Sequence, residues 1–143
     1  MNERRRAVDA SLKRFTVPLL RERGFKGSYP HFYRNLDDHV DLLTFQFRLD
    51  GSSFVVEISY ADAERSNVTF RPETPVEKLQ ASATRKRYRL GSREKRGPDG
   101  EWLQLSHGPL TTDARHFSKL ALRVNELLLV EGEAWWAEMR HAT

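Results

Sequence analysis

Seven cations crowd into twelve residues at Arg85–Arg96, RKRYRLGSREKR, and Tyr88 stands among them. Cations at this density neutralise phosphates or carboxylates, and a ring between them can stack on a base. The residues that would do so are Arg85, Lys86, Arg87, Tyr88, Arg89, Arg93, Lys95 and Arg96. The expected partner is a protein or an acidic polymer, nucleic acid included, although none of the standard DNA- or RNA-binding motifs is present. Arg4, Arg5, Arg6, Lys13 and Arg14 are placed to extend such a surface. The competing account is a solvated hairpin loop whose charges keep strand edges from pairing.

A second constellation is sparser: Arg34, Gln46, Arg48 and Glu57, with His31 and Tyr33 nearby. On the polar face of a sheet, Arg48 would receive an anion and Gln46 would offer a hydrogen-bond fork. Thr44 and Glu57 are expected cross-strand partners. Arg34 is either an anion contact or a rim residue paired with Asp41. This set supports the alternative function, a small-molecule-binding domain or an enzyme working on the outer sheet face. Its rival is a plain solvent face held by weak charge pairs.

Other chemistry finds little support. The chain has no cysteine, which removes thiolate metal sites, disulfides and cysteine nucleophiles. Asp37, Asp38, His39 and Asp41 cluster in sequence, but alternation along a strand sends them to both sides, and no zinc-ligand spacing occurs. Ser106 and His107 are adjacent, which on a strand points them to opposite faces. There is no phosphate-binding glycine loop and no nucleophile elbow. We therefore expect no catalytic residue, no metal and no cofactor, with a non-enzymatic module preferred to an enzyme.

The net charge of +4 is unevenly spread. Residues 1–26 hold eight Lys/Arg against three acids, and residues 37–64 hold seven acids and one Arg. At 143 residues and 38% hydrophobic content the chain should form one domain, residues 1–143, with one core. No apolar run approaches membrane-spanning length, and no secretory leader is evident, so the expected location is the cytoplasm.

These groups need a scaffold. Leu42–Tyr60, LLTFQFRLDGSSFVVEISY, alternates apolar and polar residues on both sides of Asp50-Gly51, which predicts a β-hairpin. Its register should set Phe47 opposite Phe54, Phe45 opposite Val56 and Leu43 opposite Ile58. An Asp37-Asp38 turn should bring Phe32 to Leu43 and Arg34 to Asp41. The inner face is then Phe32, Leu43, Phe45, Phe47, Phe54, Val56, Ile58 and Tyr60. The outer face carries Tyr33, Thr44, Gln46, Arg48, Val55, Glu57 and Ser59. Val8, Leu12, Phe15 and Leu19 mark a helix over Glu3–Arg23, kinked near Arg14 by Pro18 and closed at Gly24. Asn67–Arg71 is predicted as a strand, Glu73–Ala83 as holding a short helix, and Arg87–Leu90 and Trp102–Leu105 as a last strand pair. Thr111, Thr112 and Asp113 offer caps for a long C-terminal helix whose core stripe is Phe117, Leu120, Val124, Leu127, Leu128, Trp135 and Met139. Gly132 is placed to kink it. A second stripe, Leu122, Leu129 and Trp136, would make a homodimer interface if exposed, although a monomer is preferred.

Leu19…Gly24-Phe25-Lys26, Phe32-Tyr33-Arg34, Phe45-Gln46, Arg89-Leu90-Gly91 and Trp135-Trp136 together resemble the bacterial domain-of-unknown-function 4304 family. The resemblance spans nearly the whole chain. It implies a small α+β domain and lends no catalytic residue. The expected fold is α+β: a two-layer sandwich in which an antiparallel sheet of five or six strands carries the N- and C-terminal helices on one face and is open on the other.

Overall fold

The alternation across residues 42–60 folds as expected, because its period of two turns the large rings of both strands to the same side. The computed structural model describes residues 3–95, 99–106 and 114–142. In chain order the elements are α1 (Glu3–Ser11), α2 (Val17–Glu22), β1 (Lys26–Ser28), β2 (His31–Asn35), β3 (His39–Phe47), β4 (Ser53–Asp62), β5 (Arg87–Arg89), α3 (Ser92–Lys95), β6 (Leu103–Gln104), α4 (Ala114–Leu127) and α5 (Glu133–His141). The sheet is antiparallel in the order β1-β2-β3-β4-β5, and β6 also pairs with β4. Phe45 faces Val56, Phe47 faces Phe54, Leu43 faces Ile58, and Arg34 faces Asp41. The Asp37-Asp38 turn forms, with Leu36 N donating to His39 O; the other hairpin keeps its register but closes through a four-residue loop over 49–52, with Arg48 N donating to Ser53 O and Gly51 N to Arg48 O.

The α-helical segments at the two ends of the chain cover one side of this sheet. Val8, Leu12 and Leu20 pack with Phe45, Phe54, Val56 and Ile58 and with Phe117, Val124, Leu128 and Trp136 in one buried cluster. Each cover contains a wide π-type turn, at Leu12–Thr16 and at Leu128–Gly132. Such a turn inserts one extra residue and rotates everything downstream by about 100°. That rotation corrects two expectations. Leu20, not Leu19, takes the fully buried position, and Trp136 is buried while Leu122 and Leu129 stay exposed. The sevenfold stripe Leu122, Leu129, Trp136 is therefore not one surface. The first wide turn also lets Pro18 sit at the start of α2, where it breaks no hydrogen bond. Gly24 closes α2 with φ +93°, and Phe25 N reaches back to Leu20 O.

The other side of the sheet is not fully open. Val40, Leu42 and Ala61 meet Val68, Leu79, Ala81 and Ala83 in a second buried cluster. The expected strand at Asn67–Arg71 does not form. It makes one isolated bridge, Val68 to Thr84, and then runs into Pro72. Residues 63–84 instead lie over this end of the sheet, with 3₁₀ turns at Val76–Lys78 and Ala81–Ala83 in place of the expected helix. β5 and β6 pair with successive parts of β4 and not with each other as strands, so they are not a hairpin pair. The expected caps Thr111, Thr112 and Asp113, with His107, lie outside the described residues.

Candidate functional site

Cross-strand register sorts the charged residues onto two faces. On β4, Glu57 lies opposite Thr44 of β3 and Arg89 of β5, which puts all three on the outer face. Arg87, two residues before Arg89, shares that face. The Glu57 carboxylate straddles both: Oε1 lies 3.6 Å from Arg87 Nη1, and Oε2 lies 3.6 Å from Arg89 Nε. Glu57 is buried, whereas the arginine side chains keep 45% and 28% of their surface exposed. One carboxylate therefore lies between two guanidinium-bearing side chains that both remain partly exposed. The Trp102 ring lies under two more contacts, with Arg89 Cζ at 5.4 Å and Arg48 Cζ at 5.7 Å from its centroid. Such stacking fixes each guanidinium plane while leaving its edge free to bind.

Tyr88 points the other way. Its ring stacks on Trp135 with centroids 5.9 Å apart, and its hydroxyl donates to Glu131 Oε1 at 2.8 Å. Burial and then this hydrogen bond push the phenol pKa up to about 12. The expectation that Tyr88 stacks on a base is thus corrected: alternation along β5 sends it inward. Glu131 also accepts from Gly91 N at 2.9 Å, which ties the end of β5 to the C-terminal helix. Arg85 and Lys86 are exposed and have no ionic partner among the described residues. Arg93 lies 3.7 Å from Glu138, on the α5 side of the molecule. Arg96 and the side chain of Lys95 lie outside the described residues.

The four-residue ligand set therefore divides. Gln46, Arg48 and Glu57 share the outer face, but Arg34 does not. Arg34 lies two residues from Phe32 and so faces the helices. Its Nε donates to Asp41 Oδ2 at 2.9 Å, and its Nη2 donates to Glu133 Oε1 at 2.7 Å. Arg140 Nη1 donates to Asp41 Oδ2 at 2.8 Å, and Arg23 Nε donates to Glu133 Oε2 at 2.8 Å. Burial alone would raise the Glu133 carboxyl, but the arginine hydrogen bonds outweigh it and hold its pKa below the usual value of 4.5. His39 stacks on Tyr60 beside this network, with its Nδ1 3.4 Å from Asp41 Oδ1. Arg34 is thus no rim residue. It bolts α5 to the sheet.

The outer face also carries an open cleft of about 550 Å³ between β1–β2 and residues 77–80, lined by His31, Tyr33, Lys78 and Gln80 among others. His31 Nδ1 lies 2.9 Å from Thr44 Oγ1, and burial lowers its pKa from 6.5. Gln46, Arg48 and Glu57 do not line this cleft. Among the described residues, no group of three or more His, Asp or Glu side chains is placed to hold a metal ion. Nor is any helix long and apolar enough to cross a membrane.

Sequence reasoning did not single out Trp102, Glu133 or Arg140 as partners of these arginines. The β5 register that joins Arg87 and Arg89 to Glu57 leaves no local mark. The placement of Arg34, by contrast, follows from the parity it shares with Phe32. The model of a family described as a domain of unknown function (DUF4304) matches residues 16–119. No curated protein and no solved structure matches the chain.

Proposed function

The chain belongs to the DUF4304 family, and from that premise we propose that it is a non-enzymatic binding module whose outer sheet face takes an acidic partner. The observation that carries this reading is the pair Arg87 and Arg89, which flank the single carboxylate of Glu57 and stay partly exposed beside Arg48 and Trp102. Arg85 and Lys86 add charge at the same strand. Guanidinium groups held by a ring and a buried carboxylate are pre-organised for carboxylate or phosphate oxygens. The engaged ring of Tyr88 favours an acidic protein or peptide over base stacking by a nucleic acid.

A labelled poly-glutamate titration by fluorescence anisotropy tests this. Binding should weaken steeply as salt rises. The double variant Arg87→Ala/Arg89→Ala should lose at least tenfold in affinity. Equal affinity of the double variant and the parent would contradict the reading. An oligothymidylate of equal charge should bind more weakly, and tighter binding of it would make the partner a nucleic acid.

The cleft lined by His31, Tyr33, Lys78 and Gln80 favours a second reading, a small-molecule site on the same face. A fragment screen by NMR should then give hits that shift the His31 ring resonances and that Tyr33→Ala abolishes.

A further inference from the structure

The open edge of β5 has a property that side-chain charge alone does not supply. Leu90 N donates to Val56 O, while its carbonyl accepts from Glu101 N, so by the alternation of an antiparallel ladder Tyr88 turns its main-chain groups toward β4. Arg87 and Arg89 then turn theirs outward. β5 ends the sheet order, so no described strand pairs on that side. The Arg89 carbonyl accepts from Ser92 Oγ at 2.6 Å, which leaves the Arg87 N–H and C=O and the Arg89 N–H on the open side.

We propose that this edge binds an extended acidic segment of another protein by strand addition, with carboxylates at alternate positions facing Arg87 and Arg89. The inference rests on the reading of the outer face as a site for acidic partners, and it names how such a partner binds. β4 already shows the geometry: Glu57, on the inner flank of β5, reaches both arginines with one carboxylate. An added strand repeats that arrangement on the opposite flank, where no described strand pairs. Residues two apart in a strand lie about 7 Å apart, so acids at i and i+2 fall beside Arg87 and Arg89. The same charges exclude a second copy of this chain, since antiparallel pairing of β5 with β5 sets arginine against arginine. They also discourage neutral strands, which narrows the partner to an acidic one.

Two capped pentapeptides of identical composition provide the test: Thr-Glu-Thr-Glu-Thr, with acids at i and i+2, and Thr-Glu-Glu-Thr-Thr, which has no such pair. Affinities are measured by anisotropy on the intact chain. Strand addition predicts at least fivefold tighter binding of the alternating peptide. It also predicts that N-methylation of its alternate amides abolishes that advantage in one phase and spares it in the other. Equal affinity for the two sequences, or indifference to N-methylation in both phases, overturns strand addition while leaving the acidic-partner reading intact. Failure of both peptides, and of poly-glutamate, to bind overturns the two together.

Discussion

The two faces of β3 and β4 use the same residue types to opposite ends. On the helix-facing side, Arg34 and Arg140 meet Asp41 and Glu133 at 2.7–2.9 Å, and Asp41 is fully buried. On the outer side, one carboxylate meets two arginines at 3.6 Å, and both stay partly in water. The inner network sets three guanidinium groups, those of Arg34, Arg140 and Arg23, on two carboxylates, one of them fully buried. The outer one sets two on the single carboxylate of Glu57. Removing a partner from a buried network strands a charge without water, whereas removing one from a partly exposed network mainly changes what can bind.

The largest expected effect breaks the inner side. Arg34→Ala leaves Asp41 and Glu133 each short of a partner and should cost about 3–5 kcal/mol in urea denaturation. A loss under about 1 kcal/mol would mean that the network is screened by water. Phe45→Ala should cost a similar ~3–5 kcal/mol, because that ring is 2% exposed and meets Phe32, Phe54 and Tyr29.

Acid should act on both faces in sequence. His31 and Glu133 both have pKa values lowered in the folded protein, so each binds protons more readily in the unfolded chain. The contribution of these two groups is complete above about pH 6.5 and should be lost on acidification, first through the His31 range and then below 4.5 as Glu133 protonates. His31→Asn should flatten the first part of the profile and Glu133→Gln the second, as read by thermal melts across pH. A first slope that persists in His31→Asn would assign it to another group.

The smallest stability effect is expected on the outer side. Arg87→Ala/Arg89→Ala should cost less than Arg34→Ala, about 1 kcal/mol, since both arginines are partly solvated and truncating them opens the Glu57 carboxylate to water. A larger loss would make the outer pair structural and erase the contrast between the faces.

Residues 42–60 made one half of this division readable in advance. Alternation there specifies register, and register specifies face, so Leu43, Phe45, Val56 and Ile58 could be placed inward and Glu57 outward. The same parity places Arg34 with Phe32, although charge suggests a surface role. The wide turns at 12–16 and 128–132 were not legible, because an inserted residue changes phase without changing composition. Leu20 and Trp136 moved inward for that reason. The cover over the second face was partly legible: Val40, Leu42 and Ala61 are apolar at outward positions, which already asks for something to lie on them. What lies there is irregular chain built around Val68, Leu79, Ala81 and Ala83, and it has no period to detect. The site itself depends on β5 meeting Glu57, a contact between residues about thirty positions apart in the chain that no local pattern encodes.

The three tryptophans report on the two faces separately, since Trp102 lies on the outer side while Trp135 and Trp136 pack in the helix-facing core. Their indole N–H resonances, followed by ¹⁵N-correlated NMR during titration with poly-glutamate, therefore read the division of labour directly. Movement of the Trp102 signal alone is the predicted result. A still Trp102 signal beside shifting Trp135 and Trp136 signals would contradict the account.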